Sequence, residues 1–295
     1  MTVETTNAER LAAQLQPLVL RRDVLHVDAD SLLRSLPHGT SSLVVADPPY
    51  GIGYHSNYYK DKNPHAPISH DWNFQIGSFL SEVATALCDG GALYLFCRYD
   101  VTPIWIPYLQ PSGLKLKTVI VWVKDNWSAG DLEGSFGNQY ECIIFATKGR
   151  HKLRGKRWSN VWQFPRIPAK RLLHPAQKPV ELLTRAIEAS SDPGDVVIDP
   201  FCGSGSTGEA AVACERGFLL GDIDKKMVSL SRQRLGLDVA TESEPLTNEP
   251  MCSLMPCDPL EWGLHPEDLR TLKDQFCGSV AADRLRRELA QGRMF

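Results

Sequence analysis

The sequence predicts an α/β fold, with a mainly parallel sheet covered by helices on both faces. Short apolar runs alternate with segments of helical periodicity along residues 20–236, which is the pattern of parallel strands joined by crossover helices. Several of the predicted strands end on an aspartate, and one of them runs into a glycine-rich turn. With 295 residues, 43% of them hydrophobic, the chain can bury one large domain of this class.

Seven short apolar segments are predicted to be strands. The run at 41–47 is apolar without alternation, which is typical of a strand buried on both faces. In order, the predicted strands cover 20–28, 41–47, 92–97, 116–124, 139–149, 195–199 and 218–222.

Helices are predicted between these strands from apolar periodicity and from stop signals such as Pro37 and Gly39. They cover 29–39, 76–91, 179–194, the segment between the glycine-rich turn and Gly217, and 225–236, with a helix or turn at 101–113 and a short helix within 1–20. The polar, aromatic segment 51–75 is long for a loop in a compact domain, which favours a mobile functional loop over a merely disordered one.

Composition excludes several classes of protein. No apolar run approaches the ~20 residues that span a bilayer, and the N-terminus lacks the pattern of a secretory signal. The eight cysteines are scattered without a paired framework, as expected for reduced thiols in a cytoplasm. Cys252, Cys257, His265 and Cys277 fit no compact zinc motif, so we predict no metal site.

Basic charge is concentrated in one interval, although the net charge of the chain is only −3. No Asp or Glu occurs between Cys142 and Val180, which favours a surface for phosphates over the alternative of a solvated loop. The same interval holds Lys148, Arg150, Lys152, Arg154, Lys156, Arg157, Arg166, Lys170, Arg171 and Lys178.

A glycine-rich turn at 203–208 follows one predicted strand and precedes a helix. Gly203, Gly205 and Gly208 form the pattern G-x-G-x-x-G, and Asp222 ends the next strand. Such a turn brings the backbone close to a ligand, and the aspartate can hold ribose hydroxyls, so a Rossmann-like site for an adenosine-containing cofactor is predicted. A turn needed only for packing is the alternative. In nicotinamide oxidoreductases a glycine-rich turn of this kind usually begins a βαβαβ half, so the position of this turn late in the chain argues against that class.

The sequence Asp47-Pro48-Pro49-Tyr50 ends the predicted strand 41–47. The prolines fix the backbone and provide no N–H group, which leaves their carbonyl oxygens as acceptors. With the Asp47 carboxylate and the Tyr50 ring, they suit the exocyclic amine of a planar base, whose two N–H groups need two acceptors. A strand end followed by a simple turn is the alternative.

The chain resembles the β class of the DNA amino-methyltransferases that use S-adenosylmethionine. Their catalytic motif, (D/N/S)-P-P-(Y/F/W), matches residues 47–50, and their cofactor motif, F-x-G-x-G, matches residues 201–205. The catalytic motif comes first in the chain, which is the permuted order of the β class. The segments at 174–183 and 25–37 also resemble family stretches, although Val27 stands where glycine is usual and Asp222 where glutamate is common.

This resemblance implies a site-specific methyltransferase that flips a base out of duplex DNA and methylates its amine. Asp47, Pro48, Pro49 and Tyr50 would be catalytic, and aspartate in the first motif position points to N6 of adenine. N4 of cytosine, or less readily an RNA or a protein amide, stays open as a substrate. The implied cofactor residues are Asp28, Lys178, Pro179, Asp199, Phe201, Gly203, Ser204, Gly205, Thr207 and Asp222.

Double-stranded DNA is the implied partner, and a homodimer or a cognate restriction endonuclease is allowed. We expect a catalytic domain over 1–236, with an inserted target-recognition region at about 125–172 and a linker with a small helical extension over 237–295. We expect DNA contacts from Tyr54, Lys60, Lys148, Arg150, Lys152, Arg154, Lys156 and Arg157, and a cytoplasmic protein of prokaryotic or phage type.

Overall fold

A computed structural model describes residues 22–50, 74–127, 133–173 and 177–237. The predicted N-terminal helix, nearly all of the loop 51–75, the C-terminal extension and the cysteines considered for zinc lie outside these ranges. Among the described helices, none is long and apolar enough to cross a membrane.

The described residues form a mixed α/β structure around one eight-stranded sheet. The strands are β1 (Arg22–His26), β2 (Ser41–Ala46), β3 (Leu87–Cys97), β4 (Lys115–Val123), β5 (Tyr140–Thr147), β6 (Val161–Gln163), β7 (Val196–Asp199) and β8 (Gly217–Asp222). The α-helices are α1 (Ala29–Arg34), α2 (Ile76–Ala86), α3 (Thr102–Trp105), α4 (Val180–Ser190), α5 (Ser206–Ala213) and α6 (Lys225–Arg234). Short 3₁₀ turns lie at Ile106–Tyr108 and Ala169–Arg171.

The strand order is β1-β8-β7-β2-β3-β5-β4-β6. The five strands from β1 to β3 are parallel, as predicted, but β5 runs antiparallel to both of its neighbours, β3 and β4. Chain order reverses between β7 and β2, whose register pairs Val44 with Ile198. The crevice at the carboxyl ends of strands at such a reversal is where open α/β sheets bind ligands.

Two apolar cores cover the two faces of the sheet. Helices α1 and α2 pack on one face through Leu32, Phe79 and Val83, whose side chains are fully buried. On the other face, α4 and α5 contribute Ile187 and Ala210, among others. The predicted arrangement of helices on both faces is confirmed.

Two elements differ from the sequence prediction. Helix α2 ends at Ala86, and β3 begins at once through Leu87, because this end of β3 pairs with Ser41 of β2. Strand β6 was not predicted, since its three residues are too short to show a period. Both β5 and β6 belong to the sheet although they lie in the range 125–172, for which an inserted target-recognition region stays a prediction.

Candidate active site

Asp47 lies at the carboxyl edge of the sheet, directly after a strand in which all six residues are buried. Both of its carboxylate oxygens have partners. The Tyr50 hydroxyl donates to Oδ1 at 2.8 Å, and the Lys178 ammonium donates to Oδ2. The catalytic aspartate predicted from sequence is therefore held between a phenol and a cation that stands 131 residues away in the chain.

Lys178 connects Asp47 to a second carboxylate, that of Glu141 at the start of β5. The Lys178 Nζ lies 3.6 Å from Glu141 Oε2, and the Lys124 Nζ lies 2.5 Å from Glu141 Oε1. These four side chains form what we term the catalytic charge cluster: Asp47, Lys178, Glu141 and Lys124. Its two carboxylates are matched by two ammonium groups, which lowers the cost of burying them.

The pKa shifts in this cluster favour the charged forms. Burial alone would raise the pKa of Glu141, but the positive charges of Lys178 and Lys124 outweigh it and lower that pKa. Burial alone would lower the pKa of Lys178, and the carboxylates of Asp47 and Glu141 raise it instead. Both groups are thus ionised at neutral pH.

Tyr50 stands edge-on to Trp105, with ring centroids 6.1 Å apart and an interplanar angle of 66°. Burial, together with the carboxylates of Asp47 and Glu141, raises the Tyr50 pKa well above its usual value. The phenol therefore stays protonated and acts as a donor to Asp47.

A series of aromatic contacts connects Tyr50 to the glycine-rich turn. Trp105 contacts Phe74 at 6.0 Å between centroids, and Phe74 contacts Phe201 at 5.6 Å. Edge-to-face aromatic contacts of this kind fix the relative position of the elements that carry them. The two motifs, about 150 residues apart in the sequence, are neighbours here through side-chain packing as well as through the pairing of β2 with β7.

The glycine-rich turn leaves its outer side open to a ligand. Gly203 and Gly205 have φ angles of +49° and +80°, which favour glycine. Among the described residues other than its chain neighbours, a Cβ atom on Gly203 would meet no heavy atom within 4 Å, whereas one on Gly205 would lie 3.1 Å from Ser231. Gly203 therefore faces free space, and Gly205 packs against α6.

Asp199, Ser204 and Thr207 lie below this turn rather than on its open side. The Asp199 carboxylate accepts hydrogen bonds from the Phe201 N–H at 2.9 Å and from the Thr207 hydroxyl at 2.5 Å. Burial raises the Asp199 pKa to about 7. Ser204 is also buried, and Arg234 donates to its carbonyl and hydroxyl oxygens. These three residues hold the shape of the turn.

Asp222 ends β8, and Asp28 follows the adjacent parallel strand β1 by two residues. Asp222 accepts from the Gly203 N–H and from the Asp224 N–H, both at 2.9 Å, so it also orders the turn. Asp28 caps α1 by accepting from the Ser31 N–H. Although burial opposes it, this hydrogen bond and the nearby Arg34 charge lower the Asp28 pKa. Asp28 and Asp222 therefore border the glycine-rich turn on the side away from Asp47.

Most of the residues expected to contact DNA follow the end of β5 that lies at the sheet edge away from Asp47. Strand β5 has eight residues, so its ends lie about 24 Å apart at ~3.4 Å per residue. Because β5 is antiparallel, Glu141 lies at the catalytic edge and Thr147 at the far edge, and the chain continues from there into Lys148. Tyr54 and Lys60 lie outside the described residues.

Two of these basic side chains make internal contacts. The Lys148 ammonium donates to the carbonyl oxygens of Ala84 and Leu87 at the end of α2, and Arg154 pairs with Asp192 after α4. Arg150, Lys152, Lys156 and Arg157 are exposed. The segment that carries these six residues leaves the sheet at the edge away from Asp47, and their contact with DNA stays a prediction.

Comparison with known proteins supplies the family. A family model for N6 and N4 methyltransferases, described as DNA methylases, matches residues 41–233, which is well over half of the chain. The chain belongs to this DNA methylase family. Its matched range contains the catalytic charge cluster and the glycine-rich turn.

Two curated relatives of this DNA methylase are bacterial enzymes. The DNA adenine methyltransferase YhdJ of Escherichia coli strain K12 is 30% identical over 264 residues, covering 75% of this chain and 84% of YhdJ. The Type II methyltransferase M.HpaI of Haemophilus parainfluenzae is 28% identical over 235 residues, covering 70% of this chain and 72% of M.HpaI.

Solved structures share the fold of this DNA methylase. The complex of M1.HpyAVI with S-adenosylmethionine (SAM) matches with a TM-score of 0.57 and 23% identity, covering 73% of this chain and 99% of the other. The cytosine-N4-specific PvuII DNA methyltransferase matches with a TM-score of 0.57 and 16% identity, covering 78% and 90%.

Sequence reasoning did not predict that Glu141, Lys124 and Trp105 lie beside Asp47, Lys178 and Tyr50. Glu141 gave a signal, since it is the one acid in the otherwise apolar segment Tyr140–Thr147. Because this acid lies near the start of a buried strand, its carboxylate needs a cationic partner. The resemblance implied that Lys178 contacts the cofactor, and in the structure its ammonium donates to Asp47; the cofactor contact stays a prediction.

Proposed function

We propose that this DNA methylase transfers a methyl group from SAM to N6 of an adenine flipped out of duplex DNA. The observation that carries the proposal is the position of Asp47, one strand away from the glycine-rich turn and at the same sheet edge. The DPPY motif with aspartate in first position and the 30% identity to an enzyme named as a DNA adenine methyltransferase support adenine.

SAM fits the glycine-rich turn and the acids beside it. Gly203 allows a ligand to approach the backbone closely, and the Asp222 carboxylate lies beside the turn at the end of the next strand, where such acids hold ribose hydroxyls. When bound, the cofactor supplies a methyl group that is activated by a positively charged sulfur. Phe201, Pro179 and Asp28 complete the cofactor side of the proposed site, whereas Asp199, Ser204 and Thr207 support the turn from below.

Asp47 and Pro48 position the target amine. The carboxylate and the Pro48 carbonyl oxygen accept the two N–H groups, which directs the nitrogen lone pair toward the methyl donor. Overall the nitrogen gains a methyl group and loses one proton, and the Asp47 carboxylate is the group in contact with that proton. The Tyr50 ring provides the stacking surface for the base.

In this proposal DNA approaches the sheet edge that carries Asp47, so basic residues at that edge contact its phosphates. Arg166, Lys170 and Arg171 are exposed and follow β6, whose carboxyl end lies at that edge. The backbone N–H of Arg166 donates to the side chain of Asp125, which follows β4 at the same edge. Exposed aromatic residues between β4 and β5, Trp127 and Phe136, add surfaces for bases.

N4 of cytosine is the second candidate, because the family model covers both N6 and N4 enzymes. The same acceptors serve either amine. Target recognition within 125–172, a homodimer, a cognate endonuclease and a cytoplasmic location stay predictions.

Expression of the chain in a host that lacks DNA methylation tests the proposal. Mass spectrometry of nucleosides from host DNA should show N6-methyladenine, and sequencing with modified-base detection should show it at one short motif. N4-methylcytosine alone would move the proposal to the second candidate. If modification appears only in RNA or protein, or equally with the Asp47→Ala variant, the proposed reaction is wrong.

A further inference from the structure

Lys178 is bonded to the carboxylate that the target amine contacts in the proposed reaction. The target amine must reach the Asp47 carboxylate, yet Tyr50 donates to one of its oxygens and Lys178 to the other. An ammonium bonded to a carboxylate in a mostly buried site is a strong competitor for a neutral amine. Each carboxylate oxygen can accept more than one hydrogen bond, but the target amine gains a stronger contact with Asp47 when Lys178 has a second acceptor.

Glu141 offers that acceptor. Its Oε2 atom is buried and accepts no hydrogen bond from the residues that the structure describes. It lies 3.6 Å from the Lys178 Nζ, slightly beyond hydrogen-bond distance. A buried carboxylate oxygen left unsatisfied is costly, so its persistence beside a shared cation calls for an explanation.

We propose that Glu141 is a positioning residue that receives the Lys178 ammonium when the target amine binds Asp47. The proposal rests on the proposed function and adds a residue to it. Lys178 moves by a fraction of an ångström to about one ångström, while Tyr50 and the peptide backbone remain in place.

Three features favour this exchange. The charge of the cluster does not change, because Lys178 remains between two carboxylates throughout. Lys124 holds the other Glu141 oxygen at 2.5 Å and so fixes the acceptor in position. The Lys178 Nζ also lies 5.2 Å from the centre of the Phe96 ring. A shift of the ammonium by less than about one ångström keeps this cation–π contact.

Glu141→Gln is the test, because it keeps the shape of the side chain and removes its charge. DNA containing the motif mapped by sequencing is assayed under single-turnover conditions, with SAM affinity measured separately. We expect the rate with saturating SAM to fall roughly ten- to a hundredfold, the size of one charge-assisted hydrogen bond, while SAM affinity stays within twofold. Glu82→Gln, which removes a glutamate paired with Arg34 far from the site, should leave both unchanged.

A base analogue separates positioning from a general structural defect. With 2-aminopurine next to the target adenine, which keeps its N6 amine, the fluorescence increase on binding should be smaller for Glu141→Gln than for the wild-type protein. Lys178→Met provides the second readout, since Glu141 has no cation to receive in that variant. Adding Glu141→Gln to Lys178→Met should then change the rate by less than twofold.

Independent effects of the two substitutions, or a wild-type rate for Glu141→Gln, would overturn the inference. So would a loss of SAM affinity that accounts for the whole rate defect. Failure of the proposed function is distinguishable, because in that case the wild-type protein itself methylates no DNA.

Discussion

The corner formed by Tyr50 and the catalytic charge cluster lies beside the glycine-rich turn, but different kinds of contact stabilise the two regions. The turn is organised by contacts of backbone N–H groups with Asp199 and Asp222, at most 19 residues from their partners. The corner depends on side-chain charges, with Asp47 paired to Lys178 across 131 residues. Damage to the corner should therefore change chemistry, and damage to the turn should change cofactor binding.

The largest effect is expected from Asp47→Ala. This variant removes the acceptor for the target amine and leaves the Lys178 ammonium without its main partner, so methyl transfer should fall by about a thousandfold or more. SAM affinity, measured by calorimetry, should remain within a few-fold of wild type. A variant that keeps near-wild-type turnover would show that the corner does not act through this carboxylate.

Gly205→Ala should give the reverse pattern. The φ angle of +80° is strained for alanine, and the new Cβ would lie 3.1 Å from Ser231, so the turn must shift. We expect SAM to bind roughly tenfold more weakly, with the rate at saturating SAM little changed.

Gly113→Ala is the matched control for the turn. Gly113 has a φ of +83° and open space around its Cβ position, and it precedes β4 away from the site. It should lose stability without losing SAM affinity. Equal SAM affinities for the two variants would contradict the special role of the turn.

The basic residues at the two sheet edges provide a smaller, paired test. Arg166→Gln with Arg171→Gln should weaken DNA binding and lower the slope of log affinity against log salt by about one to two, since each lost phosphate contact removes about 0.9. Arg150→Gln with Lys152→Gln should change the slope by much less. The opposite result would return the DNA to the position expected from sequence.

Asp199→Asn should produce the smallest effect, which appears in stability rather than activity. The folded-state pKa of about 7 lies above the usual value of 3.8, so the stability linked to this carboxyl is fully present below about pH 4 and is lost as the pH rises through 7. The variant should show a flatter dependence of unfolding free energy on pH between 4 and 8, measured by urea unfolding. An unchanged pH dependence would mean that Asp199 is ionised in the folded protein.

Local patterns predicted much of this molecule, and long-range pairings account for what they missed. The strand ends at Asp47 and Asp199 and the glycine-rich turn followed from short segments whose structure depends on neighbours in sequence. The direction of β5 did not, because an antiparallel strand has the same apolar pattern as a parallel one. That one reversal placed Glu141 beside Asp47 and carried Lys148 to the far edge.

The hairpin between β4 and β5 has a consequence for exchanging target specificity between relatives. Lys124 and Gln139 close its base through two hydrogen bonds, and Lys124 also holds Glu141. A transplanted loop that keeps Lys124, Gln139 and Glu141 would inherit an intact charge cluster, so 125–138 forms a natural module for grafting. Under the proposed role of 125–172 in target recognition, grafts cut outside these anchors would alter specificity and turnover together.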